Sequence, residues 1–219
     1  MDAIVLFGGK GTRMNSELPK ALILVNAKPL IDYTLHYLLT QKNIDRIILA
    51  LGYKSEEVVH YVSQKYQNKK IEFSIEKEPL GTAGAVKQAL TKSASDFILV
   101  QNGDDLTNMN LKELEEKKAS TICVGRQRSH FGKVTEQQGY AVFEEKPFLE
   151  YWVNAGWYVF ERKELSKILP DKGSLEYDVF PKMKLRIHYH KGFWGTANSK
   201  KDIEELEKIN LQEELTLKK

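Results

Sequence analysis

Short apolar runs alternate with amphipathic segments over the first two thirds of the chain. The runs AIVLF, RIILAL, IEFSI and FILVQN have the length and composition of buried strands. The segments PLIDYTLHYLLTQK, SEEVVHYVSQKYQ and GTAGAVKQALTK carry apolar residues at helical spacing, with Pro29 and Ser55 at helix starts. This repetition predicts an α/β fold in which a mostly parallel sheet has helices on both faces. The loops after such strands meet at one edge of the sheet, where ligands bind.

The pattern changes near residue 120 of the chain. STICVGRQ, GYAVFEEKP and VNAGWYVFE read as strands with fewer helices between them, which predicts an antiparallel extension of the same sheet. A short helix KELSKIL, the segment SLEYDVFPKM, a strand LRIHYH and a charged helix from Ser199 follow. The sequence has no Pro/Gly/Ser-rich linker and no internal repeat. We therefore expect one domain over residues 1–219, with two functional halves.

Composition narrows the classes of function. Charged residues make up 29% of the chain, the formal net charge is +3 and the two signs are interspersed, which argues against a nucleic-acid partner. The single cysteine, Cys123, excludes an internal disulfide, and its apolar neighbours predict a buried thiol. No apolar run approaches the length of a membrane span, so we expect no membrane partner and a cytoplasmic protein. His188 and His190 alternate on one strand, and we expect them on an exposed face.

The loop FGGKGTR directly follows the first apolar run. Its glycines, Gly8, Gly9 and Gly11, lie beside Lys10, which indicates an anion close to the backbone. A dinucleotide-binding fingerprint requires a third glycine where this chain has Met14, and a P-loop requires Ser or Thr where it has Gly11. A plain structural turn stays open. The pattern G-G-x-G-T-R followed by P-K also resembles the signature of sugar-phosphate nucleotidylyltransferases.

Four further segments resemble that family, in the order in which the family carries them. EKEPLGTAGA resembles its base- and ribose-binding segment, NGDD its metal-binding strand end, and GYAVFEEKP and VNAGWYVF its sugar-phosphate segments. The resemblance implies the nucleotide-diphospho-sugar transferase fold, a Rossmann-like sheet with a nucleotide-binding half over 1–118 and a sugar-phosphate-binding half over 119–219. It also implies the reaction. An oxygen of a sugar 1-phosphate attacks the α-phosphorus of a nucleoside triphosphate, and pyrophosphate leaves.

The same resemblance implies a role for individual residues. Charge neutralisation during transfer is implied for the catalytic residues Arg13, Lys20 and Asp104. Nucleotide binding is implied for Gly8, Gly9, Gly11, Thr12, Glu76, Gly81 and Thr82. Sugar-phosphate binding is implied for Gly139, Glu145, Lys146 and Asn154. Structural alternatives stay open: an Asx turn at Asp104, a helix cap at Thr82 and a solvated Glu145–Lys146 pair. Asp105 reads as a turn residue.

Mg²⁺ is the implied cofactor, and Asp104 is its implied ligand. Many members of the family carry a second metal-binding aspartate in a Trp-x-Asp-x-Gly-Thr segment, where this chain reads FWGTANSKKD. Thr196 or a neighbour takes that position, and a neutral hydroxyl is a weak ligand for Mg²⁺. We therefore expect the metal to be held by Asp104, triphosphate oxygens and water, with Asn198 or Asp178 as stand-ins.

The implied substrates are a nucleoside triphosphate and a sugar 1-phosphate. Glu76 favours guanine, because a carboxylate can accept hydrogen bonds from both the N1–H and the exocyclic amine of that base. GTP with mannose or heptose 1-phosphate is therefore the preferred pair. Two other functions stay open: a cytidylyl- or uridylyltransferase acting on a phosphoalcohol or another sugar phosphate, and a non-catalytic nucleotide-binding regulatory subunit. Assembly into a homo-oligomer is also left open.

Overall fold

The computed structural model describes residues 1–11, 14, 16–67, 70–129 and 131–216. Its strands are β1 (Asp2–Phe7), β2 (Leu24–Val25), β3 (Lys28–Pro29), β4 (Ile47–Leu51), β5 (Ile71–Ile75), β6 (Phe97–Asn102), β7 (Asp105–Thr107), β8 (Thr121–Gly125), β9 (Lys133–Gln137), β10 (Tyr140–Glu144), β11 (Val153–Glu161), β12 (Arg186–Tyr189) and β13 (Trp194–Thr196). Its α-helices are α1 (Leu30–Thr40), α2 (Ser55–Lys65), α3 (Gly81–Leu90), α4 (Leu111–Glu116), α5 (Arg162–Ile168), α6 (Lys200–Glu207) and α7 (Leu211–Glu214). Short turns of 3-10 or π helix cover Lys20–Leu22, Leu175–Val179 and Phe180–Lys182.

A seven-stranded sheet forms the centre of the fold, in the order β12-β8-β11-β6-β1-β4-β5. β1 pairs in parallel with β4 and β6, and β4 pairs in parallel with β5. β11 runs antiparallel to both β6 and β8, and β12 lies parallel to β8. The predicted parallel sheet with an antiparallel extension is thus confirmed. β11 is the strand that reverses direction within it.

The prediction that GYAVFEEKP joins this sheet is wrong. β10 pairs with β9 in a separate two-stranded hairpin, and both strands are exposed along their whole length. Gln138 and Gly139, with φ of 53° and 85°, form its two-residue turn. Because such a turn needs positive φ at both positions, Gly139 is explained by the hairpin itself.

Helices cover both faces of the sheet, as the sequence pattern predicts. Alternate residues of β1 point to opposite faces, so Val5 packs in the core under α1, α2 and α4, whereas Ile4 packs in the core under α3 and α5. Cys123 is fully buried in the first of these cores, which confirms the prediction of a buried thiol. Burial raises the pKa of that thiol to about 12. In the described ranges, no helix is both long and apolar enough to cross a membrane.

The expectation that both histidines lie on an exposed strand face is wrong for His190. Its side chain is buried, and its Nε2 lies 3.1 Å from Thr107 Oγ1 and 2.9 Å from the carbonyl oxygen of Phe193. The cause is β13, which pairs with β7 and brings the preceding loop against the imidazole. Burial lowers the pKa of His190 below its usual value.

A buried carboxylate fastens α1 to α2. Asp32 is only 1% exposed, and it accepts hydrogen bonds from the hydroxyls of Tyr61 (2.8 Å) and Tyr66 (2.7 Å) and from the ammonium of Lys65 (2.6 Å). A buried charge is tolerated when such donors satisfy it. This cluster therefore fixes the packing of two helices on one face of the sheet.

We expect Asp32→Ala to lower the free energy of unfolding by about 3 kcal/mol, because three hydrogen bonds to one buried carboxylate are lost. Urea denaturation measures the change. Glu57→Ala is the matched control on the same helix, since it removes only the exposed pair with Lys54 at 3.3 Å. The control should cost no more than about 0.5 kcal/mol. Equal losses in the two variants would contradict the role given to Asp32.

Candidate active site

The loops after β1, β5 and β6 converge at the carboxyl edge of the sheet, as the sequence predicts. β1 lies between β6 on one side and β4 on the other, so a crevice opens where the strand order reverses. A cavity of about 550 Å³ occupies this crevice. Its polar lining includes Gly8, Gly9, Lys10, Lys20, Glu76, Gly81, Thr82, Asn102, Asp104, Glu176 and Asn198. Seven of the residues implied by the family resemblance, and the predicted stand-in Asn198, are thus brought together with Lys10.

A lysine contacts two distant segments within this cavity. The ammonium of Lys20 donates to Oδ2 of Asp104 at 2.5 Å and to Oδ1 of Asn198 at 2.8 Å. The side chains of Lys20 and Asp104 are 16% and 12% exposed, so little solvent screens the pair. Gly11 (φ 60°) lies beside the stem of Lys20, where an added Cβ would be 3.6 Å from the lysine Cβ. Thr12 and Arg13 lie outside the described residues.

Asn198 lies where the sequence analysis expects a substitute for the second aspartate. Its Nδ2 donates to Thr196 Oγ1 at 2.6 Å, and its backbone N–H donates to Asp202 at 3.1 Å. The backbone N–H of Ala197 also donates to the carbonyl oxygen of Asp104 at 2.9 Å. This segment is therefore bound to the end of β6, next to the Lys20 ammonium.

Asp178, the other expected stand-in, binds elsewhere. Its Oδ2 accepts from the backbone N–H of Ser174 at 2.7 Å, and the side chain does not line the cavity. The carboxylate fixes the turn that precedes Leu175–Val179.

Reading Asp105 as a turn residue is wrong, because it begins β7 and is buried. Its carboxyl accepts from Asn102 Nδ2 at 3.2 Å, and its backbone pairs with Thr196 of β13. Burial, together with the neighbouring Asp104 charge, raises the pKa of Asp105 well above its usual range. Gly156, with φ of 72°, leaves space for this carboxyl, since a Cβ there would overlap Oδ2.

Glu76 lies between the glycine loop and the start of α3. Its Oε2 accepts from the backbone N–H of Leu80 at 3.0 Å. Its Oε1 lies so close to Gly8 that an added Cβ would be 2.6 Å away, and a Cβ at Gly52 would overlap it. Glycines at these two positions therefore accommodate the carboxylate at the cavity wall.

The helix-cap alternative for Thr82 is wrong. α3 already begins at Gly81, and Thr82 Oγ1 instead accepts from the backbone N–H of Leu175 at 2.8 Å and contacts Glu176 Oε2 at 3.4 Å. A Cβ at Gly81 (φ 73°) would overlap the carbonyl of Gly173. Gly81 is thus required because the segment 173–176 passes directly against its backbone. A nucleotide contact at Gly81 and Thr82 stays a prediction.

The four residues implied in sugar-phosphate binding are spread over three places. Asn154 lies on β11 two residues before Gly156, and its Nδ2 donates to the hydroxyl of Tyr158 at 2.7 Å. Lys146 lines a second cavity of about 360 Å³, which Thr196 also lines. Gly139 and Glu145 are exposed in and after the hairpin, and the structure brings neither of them to these two cavities.

Two cavity residues were not identified from the sequence. Asn102 directly precedes the Gly103 of the NGDD motif, so its position at a strand end is a usable signal. Glu176 is 94 residues from Thr82, and no local pattern connects the two.

The donor set suits a hard divalent cation. The Asp104 carboxylate and the Asn198 amide oxygen, both bound to Lys20, are oxygen donors of the kind that Mg²⁺ prefers. Among the described residues, no group of three or more His, Cys, Asp or Glu side chains could hold a metal ion. The protein therefore offers a partial set of ligands at this edge.

The chain is similar to named proteins over most of its length. The family model described as "Nucleotidyl transferase" matches residues 2–191. D-glycero-alpha-D-manno-heptose 1-phosphate guanylyltransferase of Aneurinibacillus thermoaerophilus is 34% identical over 214 residues, covering 90% of each chain. Mannose-1-phosphate guanyltransferase of Aspergillus oryzae is 34% identical over 229 residues, covering 93% of this chain and 62% of the relative. The crystal structure of HddC from Yersinia pseudotuberculosis superposes with a TM-score of 0.76 at 26% identity, covering 94% of this chain and 98% of that one.

We expect Gly156→Ala to destabilise the protein by about 3 kcal/mol, since the methyl group overlaps the Asp105 carboxyl in addition to requiring positive φ. Gly139→Ala is the matched control, because its φ is also positive but nothing lies within 4 Å of the added Cβ. The control should cost about 1 kcal/mol. Urea denaturation measures the stability of both variants. Similar losses would show that only the positive φ of Gly156, and not the space beside the Asp105 carboxyl, requires glycine.

Proposed function

The chain belongs to the nucleotidyl transferase family and is a sugar-phosphate nucleotidylyltransferase, and we propose that it transfers GMP from GTP to mannose or heptose 1-phosphate. The products would be pyrophosphate and a GDP-sugar. The observation that carries this proposal is the contact of Lys20 with Asp104 and Asn198 in the cavity beside the glycine loop. We place the reaction in the cytoplasm, where nucleoside triphosphates are supplied.

Charge neutralisation is the main task of the proposed site. The attacking phosphate oxygen is already an anion, so the reaction needs no general base, and catalysis rests on positioning and on charge. Backbone N–H groups of the loop Gly8, Gly9, Gly11 and Thr12 would bind phosphate oxygens. Lys20, with Arg13 from the same loop, would stabilise the charge that develops during transfer.

A divalent metal is generally used by members of this family, and we propose Mg²⁺. Asp104, with the amide oxygen of Asn198 beside it, would hold the ion on the protein side. When bound, Mg²⁺ neutralises charge on phosphate oxygens. Because the described residues supply few acidic ligands, we infer that the nucleotide phosphates and water complete the coordination.

The acceptor would lie on the side of residues 119–219, with the nucleotide on the side of residues 1–118. Two positions support this division. Asn154 lies on β11 two residues before Gly156, the residue that packs on the Asp105 carboxyl, and Lys146 lines the cavity that Thr196 also lines. Sugar-phosphate binding by Gly139 and Glu145 rests on the sequence resemblance alone.

We expect Lys20→Ala to lower kcat about a hundredfold, equivalent to about 3 kcal/mol of transition-state stabilisation. Asp104→Asn should lower it at least as far, because it removes the carboxylate proposed as a metal ligand. Pyrophosphate release with GTP, a sugar 1-phosphate and Mg²⁺ measures both.

The matched control is Lys87→Ala, which removes an exposed lysine paired with Asp171 at 2.8 Å. It should leave kcat unchanged. Unaltered turnover in Lys20→Ala, with an intact unfolding transition, would contradict the phosphate role of Lys20. A wild-type protein that binds nucleotide but releases no pyrophosphate with any acceptor would indicate a regulatory subunit.

For the base, we expect GTP to exceed CTP, UTP and dTTP in kcat/KM, and Glu76→Gln to lower kcat/KM for GTP by about tenfold or more. The amide replaces an acceptor by a donor where guanine presents its own N–H groups. Glu78→Gln, an exposed glutamate two residues away, is the control and should change nothing. Preference for CTP or UTP, with phosphocholine, inositol phosphate or another sugar phosphate as acceptor, would favour the alternative transferase.

A further inference from the structure

We propose that Thr196 is a positioning residue that holds the side-chain oxygen of Asn198 toward Lys20 and Asp104. The proposal rests on the proposed function, because it concerns how the same cavity presents oxygen atoms to a nucleotide and its metal. Aspartate and asparagine differ in the atoms that they can present at position 198. An aspartate at this place could present either oxygen, whereas an asparagine must be turned the right way.

The orientation of the Asn198 amide follows from its two partners. The Lys20 ammonium can only donate, so the group 2.8 Å from it has to be the oxygen. The amide nitrogen then lies 2.6 Å from Thr196 Oγ1 and donates to it. A reversed amide would set its N–H₂ group against the ammonium and remove an oxygen from the cavity.

Thr196 can accept from Asn198 whichever way its own proton points. β7 and β13 pair with Asp105 opposite Thr196, so the backbone pairing fixes where the threonine side chain begins. A hydroxyl oxygen carries two lone pairs, so one of them remains for the Asn198 nitrogen. Asn198 therefore donates to Thr196, and this bond keeps the amide oxygen toward Lys20.

The strand opposite Thr196 is itself fixed in place. Its Asp105 is 5% exposed and accepts from Asn102 Nδ2 at 3.2 Å, and the bare backbone of Gly156 closes one side of the carboxyl. The pairing of this strand with β13 therefore gives the threonine side chain a fixed base, from which its hydroxyl oxygen holds the Asn198 nitrogen.

Thr107 supplies a matched control in the same two-stranded sheet. It is 2% exposed, and its hydroxyl donates to the Phe193 carbonyl at 2.9 Å and lies 3.1 Å from His190. A valine there removes a buried threonine hydroxyl without touching Asn198. Loss of stability from an unpaired group should therefore be similar in Thr107→Val and Thr196→Val.

The experiment compares Thr196→Val, Thr196→Ser and Thr107→Val in the full chain. We expect Thr196→Val to lower kcat by about tenfold with the KM for GTP little changed, because positioning and not nucleotide affinity is lost. In the presence of a non-hydrolysable GTP analogue, binding of Mn²⁺ followed by electron paramagnetic resonance should weaken several-fold. Thr196→Ser, which keeps the hydroxyl, should restore both values, and Thr107→Val should leave both unchanged while lowering stability.

A double-mutant cycle removes the remaining ambiguity. In an Asn198→Asp background the side chain needs no orientation, so adding Thr196→Val should weaken Mn²⁺ binding far less than it does beside asparagine. An equal loss in both backgrounds, a serine variant as impaired as the valine, or a kcat loss in Thr107→Val of the same size would each overturn the proposal. Absence of pyrophosphate release from the wild type would contradict the proposed function only, since the Mn²⁺ measurements still test the orientation of Asn198.

Discussion

The ammonium of Lys20 is the point at which three segments of the chain meet. Its partners Asp104 and Asn198 are 84 and 178 residues away in sequence, and both contacts lie in a mostly buried place. A charge in such a place is stable only when opposite charge and hydrogen-bond acceptors surround it. One side chain therefore holds together the loop after β1, the end of β6 and the residues after β13. The shape of the cavity depends on that contact.

The centre of the sheet could be predicted because its strands are buried on both faces. FILVQN coincides with β6, since a continuous apolar run bounded by polar residues has few other interpretations. IEFSI coincides with β5, but this edge strand alternates apolar and polar residues and is only partly buried. β7 and β13 have three residues each, DLT and WGT, which is too short for any periodicity to identify them. The exposed hairpin is mispredicted because its composition resembles that of a buried strand. Its residues Tyr140, Val142 and Phe143 belong to one apolar run, although all three lie in solvent.

The site was predictable where a motif follows a strand directly, and much less so where distant segments complete it. The resemblance of their segments to the family's motifs identifies Lys20, Glu76 and Asp104, and the rule that loops at strand ends share one edge of a parallel sheet predicts that they meet. Asn198 was named only as one of two stand-ins, and the choice between it and Asp178 required the pairing of β13 with β7. The sequence suggests a turn at Asp105 because NGDD has the composition of a turn. Only the packing of β11 and β13 around it shows that Asp105 is a buried strand residue.

The place of β11 in the sheet also has a consequence for how the protein is synthesised. β6 needs β11 as its neighbour on the side away from β1, yet β11 ends roughly sixty residues later in the chain. At a translation rate of about 5–20 residues per second, a nascent chain carries β1, β4, β5 and β6 for several seconds with one side of β6 unpaired. An unpaired strand edge is a template for association with other chains. During translation this edge is therefore where the unfinished protein most needs a chaperone.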